Sequence, residues 1–118
     1  MNTKIQTYRD LDIWNKGIEL VRSIYTVTGK FPKHELYGLS SQMRRSAISI
    51  PSNVAEGFKR QHNKEYRQFL YIALGSCAEL ETQLTIAKEL GYISSEKDLL
   101  DKADHIGRMI TNLLKRLA

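Results

Sequence analysis

The chain has 118 residues, 42% of them hydrophobic, so it is long enough to bury a core without disulfides or metal ions. Its single cysteine, Cys77, excludes an intramolecular disulfide. No apolar run approaches the roughly 20 residues that a membrane helix needs, and the N-terminal residues lack the apolar segment of a signal peptide. We therefore expect one domain over residues 1–118, in a reducing cytoplasm and away from membranes.

The net charge of +5 is unevenly distributed along the chain. Residues 36–78 contain six Lys or Arg against two Asp or Glu, residues 79–104 contain three against seven, and residues 105–118 contain three against none. A solvated helix surface is the simplest explanation of such runs. An electrostatic footprint for nucleic acid is the more specific one, and the charge pattern leaves both open.

The first predicted helix spans Leu11 to Thr28 and is ended by Gly29. Its apolar residues form two stripes, each with the alternating steps of three and four that place side chains on one helix face. We predict that the first stripe faces the core. It consists of Leu11, Trp14, Ile18, Val21 and Tyr25. The second stripe, about 100° around the helix, consists of Ile13, Gly17, Leu20, Ile24 and Val27. One core face cannot bury both stripes, so the second is left for contacts between subunits.

The residues around Pro51 decide whether the next segment is one helix or two. An interior proline removes one hydrogen bond and crowds the carbonyl four residues back, at a cost of roughly 3 kcal/mol. Here the residue four back is the small Ala47, and an apolar stripe continues through the proline: Leu39, Met43, Ala47, Ile50, Val54 and Phe58. We therefore predict one helix kinked at Pro51. The alternative is a break, with Ser52 or Asn53 capping a second segment.

Two further helices are predicted from the same spacing. The third has Asn63 as N-cap and stops at Gly91, and the fourth starts after Ser95 and Asp98, at capping-box spacing, and runs to the C-terminus. Their stripes are Tyr66, Leu70, Ala73, Cys77, Leu80, Leu84 and Ala87, and then Leu99, Ala103, Ile106, Ile110, Leu113 and Leu117. Four amphipathic helices with short connections predict an all-α, antiparallel, up-down-up-down four-helix bundle.

The sequence offers no motif for catalysis or for metal binding. Di-iron sites in helix bundles use Glu-x-x-His pairs, and no histidine here stands three residues after a glutamate. Cys77 falls in the apolar stripe of the third helix, where we expect a buried, unreactive thiol. The glycines form no phosphate-cradling loop. We therefore predict that the protein is not an enzyme and binds no metal or other cofactor.

Six basic residues lie outside the core stripes of the second and third helices. On a helical wheel Arg45 and Lys59 lie roughly opposite the stripe of the second helix, and Tyr71 points outward from the third. An oligomer would repeat this surface in every subunit and could engage phosphates multivalently, while a tyrosine could stack on an unpaired base. The predicted nucleic-acid-binding residues are Arg44, Arg45, Lys59, Arg60, Lys64, Arg67 and Tyr71.

The predicted subunit interface combines the second stripe of the first helix with a flank of the second. Its residues are Ile13, Gly17, Leu20, Ile24, Val27 and Ile48. A large exposed apolar patch on a small domain usually marks an interface, although a wide core face would also account for these residues.

Two functional hypotheses remain: a nucleic-acid-binding oligomer, and a protein-assembly or adaptor module that binds no nucleic acid. In the first, the basic residues should be exposed and clustered. In the second, they should pair with the acidic residues of 79–104, within or between subunits.

The order of segments along the chain resembles a known family. These segments are DLDIWNKGIEL (10–20), KFPKHELYGLSSQMRRSAISIPSNVAEG (30–57), FLYIALGSCAELETQL (69–84) and LGYI (90–93). They resemble the four-helix bundle proteins encoded in intervening sequences of bacterial 23S rRNA genes, with Gly17 and Cys77 as minor departures. The resemblance implies a ring-like homopentamer whose biological role is unsettled. A similar bundle is the accessory variability protein of diversity-generating retroelements, a positively charged oligomer that binds nucleic acid and a reverse transcriptase, but this kinship transfers no residue role.

Overall fold

Four long helices make up most of the chain. The computed structural model describes residues 4–118 and contains α1 (Asp12–Thr28), α2 (Leu39–Phe58), α3 (Asn63–Glu89) and α4 (Lys97–Arg116). Each helix packs against two neighbours in a closed cycle, and the short connections make consecutive helices antiparallel. The predicted all-α four-helix bundle is confirmed, and the described part of the chain contains no strand. No described helix is both long and apolar enough to cross a membrane.

One hydrophobic core lies between the four helices. The predicted stripes of α2 and α3 supply much of it, because a helix that packs on two neighbours buries the face defined by steps of three and four. In the last turn of α4, Leu114 is buried and the predicted Leu113 is only half-buried. The largest fully buried side chains are Leu20, Ile24, Met43, Ile50, Val54, Leu70, Leu80, Leu84, Ile106 and Ile110.

The two stripes of α1 have the opposite roles to those predicted. Ile13, Gly17, Leu20 and Ile24 are buried within the single chain, and Val27 is half-buried against the same core. As interface residues the first four are therefore wrong, since they have no surface left for a second subunit. Because Gly17 has no side chain, this face of α1 can pack closely against α2.

The other stripe is mostly half-buried at the edge of the core and borders a groove between α1 and α2. Trp14, Ile18 and Val21 line this groove together with Ile48 of α2, and Tyr25 is exposed further along α1. The core therefore fully buries only one of the two stripes of α1, and it is the stripe opposite to the predicted one. We call Trp14, Ile18, Val21 and Ile48 the outer apolar groove.

The α2 helix continues through Pro51 without a break. Pro51 is buried, and a Cβ added at Gly17 would lie only 3.1 Å from the Cβ atom of Pro51. Near the proline, the Asn53 side-chain amide donates to the Ser49 carbonyl at 2.8 Å. The predicted continuous helix is thus confirmed against the alternative of a break, and the size of the bend stays a prediction.

Two predicted helix starts are displaced by about one residue. The N-cap of α3 is His62 and not Asn63, and its side chain makes no capping hydrogen bond. Before α4, the Ser95 hydroxyl accepts from the Lys97 backbone N–H at 3.2 Å, so it does not form the expected capping box with Asp98. These hydroxyl and imidazole groups lie at the surface, where water satisfies the helix N-terminus equally well.

The predicted stop of α3 is confirmed at Gly91. This glycine has φ of +79°, a conformation that a Cβ would disfavour. The Gly91 N–H donates to the Lys88 carbonyl and the Tyr92 N–H donates to the Ala87 carbonyl, which together form a Schellman motif. The turn directs Tyr92 back onto the core, where its ring lies 5.2 Å from that of Phe31.

Candidate nucleic-acid interface

The six predicted basic residues do not form one cluster. Arg44 and Arg45 lie in the first half of α2, whereas Lys59 and Arg60 follow its last residue and Lys64 lies in the first turn of α3. At 1.5 Å per residue, about 20 Å of helix separates Arg45 from Lys59. The predicted surface therefore divides into an upstream pair and a group at the corner between α2 and α3.

Arg44 is bound to the end of α1. Its Nε donates to the Thr28 hydroxyl at 2.8 Å, and its guanidinium lies 4.5 Å from the centre of the Tyr25 ring. Thr28 is buried, and its hydroxyl in turn donates to the Ile24 carbonyl at 2.6 Å. A cation is favoured at the last turn of a helix, where the carbonyl dipoles point. Arg44 therefore joins α2 to α1 and is not free for a ligand.

Arg67 has a corresponding position between α3 and α4. One guanidinium nitrogen donates to the Leu114 carbonyl in the last turn of α4, and another lies 3.5 Å from the Tyr71 hydroxyl. The Leu114 carbonyl is among the last four of α4, which lack a partner within the helix. Arg67 thus caps α4, and its guanidinium is committed to the bundle.

Lys59, Arg60 and Lys64 are exposed at the corner. Within residues 4–118, none of the six predicted basic residues has a carboxylate within 4.0 Å; the ion pairs found are His34–Glu35, Lys97–Asp101 and Arg108–Asp104. The Arg60 guanidinium lies 4.6 Å from the centre of the Phe69 ring, so the charged head packs on this ring although the residue as a whole is exposed. Within one subunit, the described residues therefore do not show the pairing with residues 79–104 that the adaptor hypothesis expects.

The bundle brings two further cations to the same end. Leu114, the residue that Arg67 contacts, is followed closely by exposed Lys115 and Arg116. Burial raises the pKa of Tyr66 in α3, and the nearby positive charge of Arg116 opposes this rise. We define the basic end as Lys59, Arg60, Lys64, Lys115 and Arg116. Sequence reasoning missed the last two because about fifty residues separate them from Lys64, although the excess of positive charge in 105–118 was visible.

Acidic residues border the basic end on the side of α1. Asp10 and Asp12 line a groove that also contains Arg116. The Asp10 carboxylate accepts the backbone N–H groups of Gln6 and Thr7, each at 3.0 Å, and these bonds hold the pKa of Asp10 below its usual value. These carboxylates therefore offset part of the positive charge of the basic end on its α1 side.

Arg45 lies in a different environment. It is exposed beside a small depression between α2 and α3, which we call the polar notch and define as Gln42, Arg45, Ser46, Glu79 and Gln83. Arg45 is thus grouped with a carboxylate and two amides, and not with the basic end.

Cys77 is packed as a core residue. Its side chain is buried, and burial together with the negative charge of Glu81 raises the pKa of the thiol to about 12. The thiol therefore stays protonated at neutral pH, as expected for an unreactive cysteine. Within the described chain, no group of three or more His, Cys, Asp or Glu side chains is arranged to hold a metal ion.

Comparison with known proteins agrees with this architecture. A family model described as 23S rRNA-intervening sequence protein matches residues 9–112. The crystal structure of a protein with unknown function from the S23 ribosomal protein family of Bacteroides thetaiotaomicron matches with a TM-score of 0.80 and 22% identity, covering 87% of this chain and 98% of that one. At that identity the likeness shows the fold alone. A search of curated proteins returned no match. Because the family model covers most of its length, the chain belongs to the 23S rRNA-intervening sequence protein family.

Proposed function

We propose that this protein is a non-enzymatic, homo-oligomeric bundle that binds RNA or single-stranded DNA through the phosphates at its basic end. The observation that carries the proposal is a group of five exposed cations, drawn from the ends of α2, α3 and α4, with no carboxylate partner within 4.0 Å among the described residues. Cations at one end of a bundle repel each other, and a polyanion relieves that repulsion while releasing its own counterions.

A single strand fits this surface better than a rigid duplex. The Tyr71 side chain is 53% exposed on α3, one to two turns beyond Lys64. An unpaired base could stack on this ring, and base–aromatic stacking tolerates any sequence. Phosphate contacts are likewise independent of sequence, so binding at the basic end has little sequence preference.

Association of subunits would increase the affinity for a nucleic-acid strand, because each subunit adds one basic end. The outer apolar groove presents four large side chains that the single chain covers only in part, and a second subunit would bury them. A symmetric oligomer repeats the basic end once per subunit, so a modest charge becomes a multivalent surface. The family resemblance favours five subunits.

The proposal is tested with charge reversal at two positions of the basic end, Lys59→Glu and Lys64→Glu together. The readout is fluorescence anisotropy of a labelled oligouridine, measured across a series of salt concentrations. We expect weaker binding and a shallower salt dependence, since each phosphate contact adds about −0.7 to the slope of log affinity against log salt for a single strand.

The matched control is Lys33→Glu with Lys88→Glu, exposed lysines outside the basic end that give the same change in net charge. If both double variants lose affinity equally, net charge and not the basic end is responsible. If the parent protein does not bind at about 50 mM salt, where charges are least screened, the proposal is wrong.

The alternative is a protein-assembly or adaptor module, and one observation favours it. Tyr37 is 93% exposed in the connection before α2, with Leu36 half-exposed beside it. This connection is joined to the one after α3 by a hydrogen bond of 2.8 Å from the Tyr92 hydroxyl to Glu35, so the tyrosine projects from a supported loop. A parent protein that binds no nucleic acid would favour this second function.

A further inference from the structure

The polar notch contains a buried group that the bundle itself does not satisfy. Gln83 is 7% exposed, and its Oε1 atom has no hydrogen-bond partner among residues 4–118. A buried amide without a partner destabilises a fold, and a leucine or methionine at this position would avoid the cost. The neighbouring Ser46 is also buried but satisfied, since its hydroxyl donates to Glu79 Oε1 at 2.6 Å. Because the Oε1 atom is itself buried, a molecule in the notch would satisfy it only if the Gln83 amide turned outward, and the accessible polar groups of the notch are those of Arg45 and Glu79.

The charges of the notch favour a neutral ligand with both donors and acceptors. Arg45 contributes one cation and Glu79 one carboxylate, and the two are not within 4.0 Å of each other. Arg45 therefore retains free N–H donors, and Glu79 retains its second carboxylate oxygen as an acceptor. A phosphate would be repelled by Glu79, so the notch differs in kind from the basic end.

We propose that the polar notch binds an unpaired guanine of the strand held at the basic end. This inference rests on the proposed function. Guanine presents two adjacent donors, N1–H and the N2 amino group, which match a carboxylate, and it presents O6 and N7 as acceptors for an arginine. Uracil and cytosine offer only one donor group on the corresponding edge. Gln83 borders the same depression, and its amide would supply a further acceptor or donor on turning outward.

The position of the notch suits a strand that starts at the basic end. Tyr71 and Ile72, both about half-exposed, lie on α3 between Lys64 and Glu79. At 1.5 Å per residue, the notch begins about 12 Å along α3 from Tyr71. A strand bound by its phosphates at the basic end can therefore pass over the tyrosine and place a base at the notch.

The test compares oligouridine strands of equal length that carry one central uridine, adenosine, guanosine or inosine. Inosine lacks only the N2 amino group of guanosine. We expect the guanosine strand to bind about tenfold more tightly than the all-uridine strand, as a well-placed base contact does, with inosine between them. Glu79→Gln and Gln83→Met should each remove this preference and leave the affinity for all-uridine RNA unchanged. Glu89→Gln, an exposed carboxylate of α3 outside the notch, should keep it.

The outcomes separate this inference from the proposed function. Equal affinity for all four strands overturns the guanine site and leaves binding at the basic end intact, whereas no binding of any strand overturns both. Gln83→Met should melt at the same temperature as the parent or higher, because it removes an unsatisfied buried amide; if it fails to fold, Glu79→Gln carries the test. If Gln83→Met changes the oligomer size in light scattering and keeps the guanine preference, the notch is a subunit contact and the inference is wrong.

Discussion

Two arginines that look like surface residues in the sequence belong to the framework of the bundle. Arg44 donates to Thr28 at the end of α1, and Arg67 donates to the Leu114 carbonyl near the end of α4. A planar guanidinium can bond an oxygen and pack on a ring at the same time, and Arg44 does so on Tyr25. Helix C-termini leave carbonyl groups without partners, and an arginine of a neighbouring helix can donate hydrogen bonds to them.

Removing either guanidinium should therefore cost stability. We expect Arg44→Met and Arg67→Met each to lower the free energy of unfolding by about 1.5–3 kcal/mol, the range for hydrogen bonds that involve a charged group. Lys59→Met and Lys64→Met, which change exposed side chains, should stay within about 0.5 kcal/mol of the parent. Urea unfolding followed by circular dichroism measures all four, and equal losses would show that the arginines have no framework role.

Packing between α2 and α3 depends on one glycine and not on another. A Cβ at Gly57 would lie 2.8 Å from Tyr66 Cδ1 and 2.9 Å from Phe69 Cβ, whereas a Cβ at Gly75 would meet nothing within 4 Å. Gly57→Ala should therefore destabilise the bundle by about 1–3 kcal/mol through overpacking. Gly75→Ala should stabilise it by about 1 kcal/mol, because alanine is the better helix former. Thermal unfolding compares the pair; a destabilising Gly75→Ala would indicate that another subunit approaches this position.

A single carboxylate connects two loops to the start of α2. Glu35 accepts from the Leu39 backbone N–H at 3.1 Å through one oxygen and from the Tyr92 hydroxyl at 2.8 Å through the other. These two bonds, the backbone bond first, hold the pKa of Glu35 below its usual value. The α2 helix is therefore capped from the preceding turn, Lys33–Glu35, and not by its own N-cap residue Gly38.

The lowered pKa of Glu35 predicts an acid-sensitive contribution to stability. A depressed folded-state pKa means that the contribution is complete above the unfolded pKa, about 4.3 for glutamate, and is lost as pH falls through the folded value. Glu35→Gln should therefore be less stable than the parent at neutral pH, and the difference should shrink below about pH 4. Urea midpoints measured across this range test it. A difference that does not change with pH would contradict the role of the charge.

At the scale of the whole molecule, the outer apolar groove predicts how subunits associate. Ile48→Glu should split the oligomer into smaller species in light scattering, because it places a carboxylate in a surface that another subunit would bury. Ile86→Glu is the matched control, since Ile86 of α3 is exposed to 43% and Ile48 to 41%. A monomeric parent would refute the association, and equal dissociation by both variants would refute the assignment to this groove.

The four helices and most of the core residues follow from the spacing of apolar residues along the chain. Steps of three and four in α2, α3 and α4 mark the buried face of each helix, and the stripe through Pro51 was enough to predict one continuous helix. These features are local, because helical geometry alone relates the spacing of residues to a common face.

The packing of the helices against one another determines which stripe of α1 is buried and which cations lie at the same end of the bundle. The two stripes of α1 have the same period, and the choice depends on the close approach of Gly17 to Pro51 of another helix. Likewise, Arg116 lies at the same end as Lys64 because α4 ends near the start of α3. Arg44 and Arg67, in contrast, donate hydrogen bonds to oxygen atoms of other helices. These contacts depend on distances between helices. The spacing of residues within one helix gives no information about such distances.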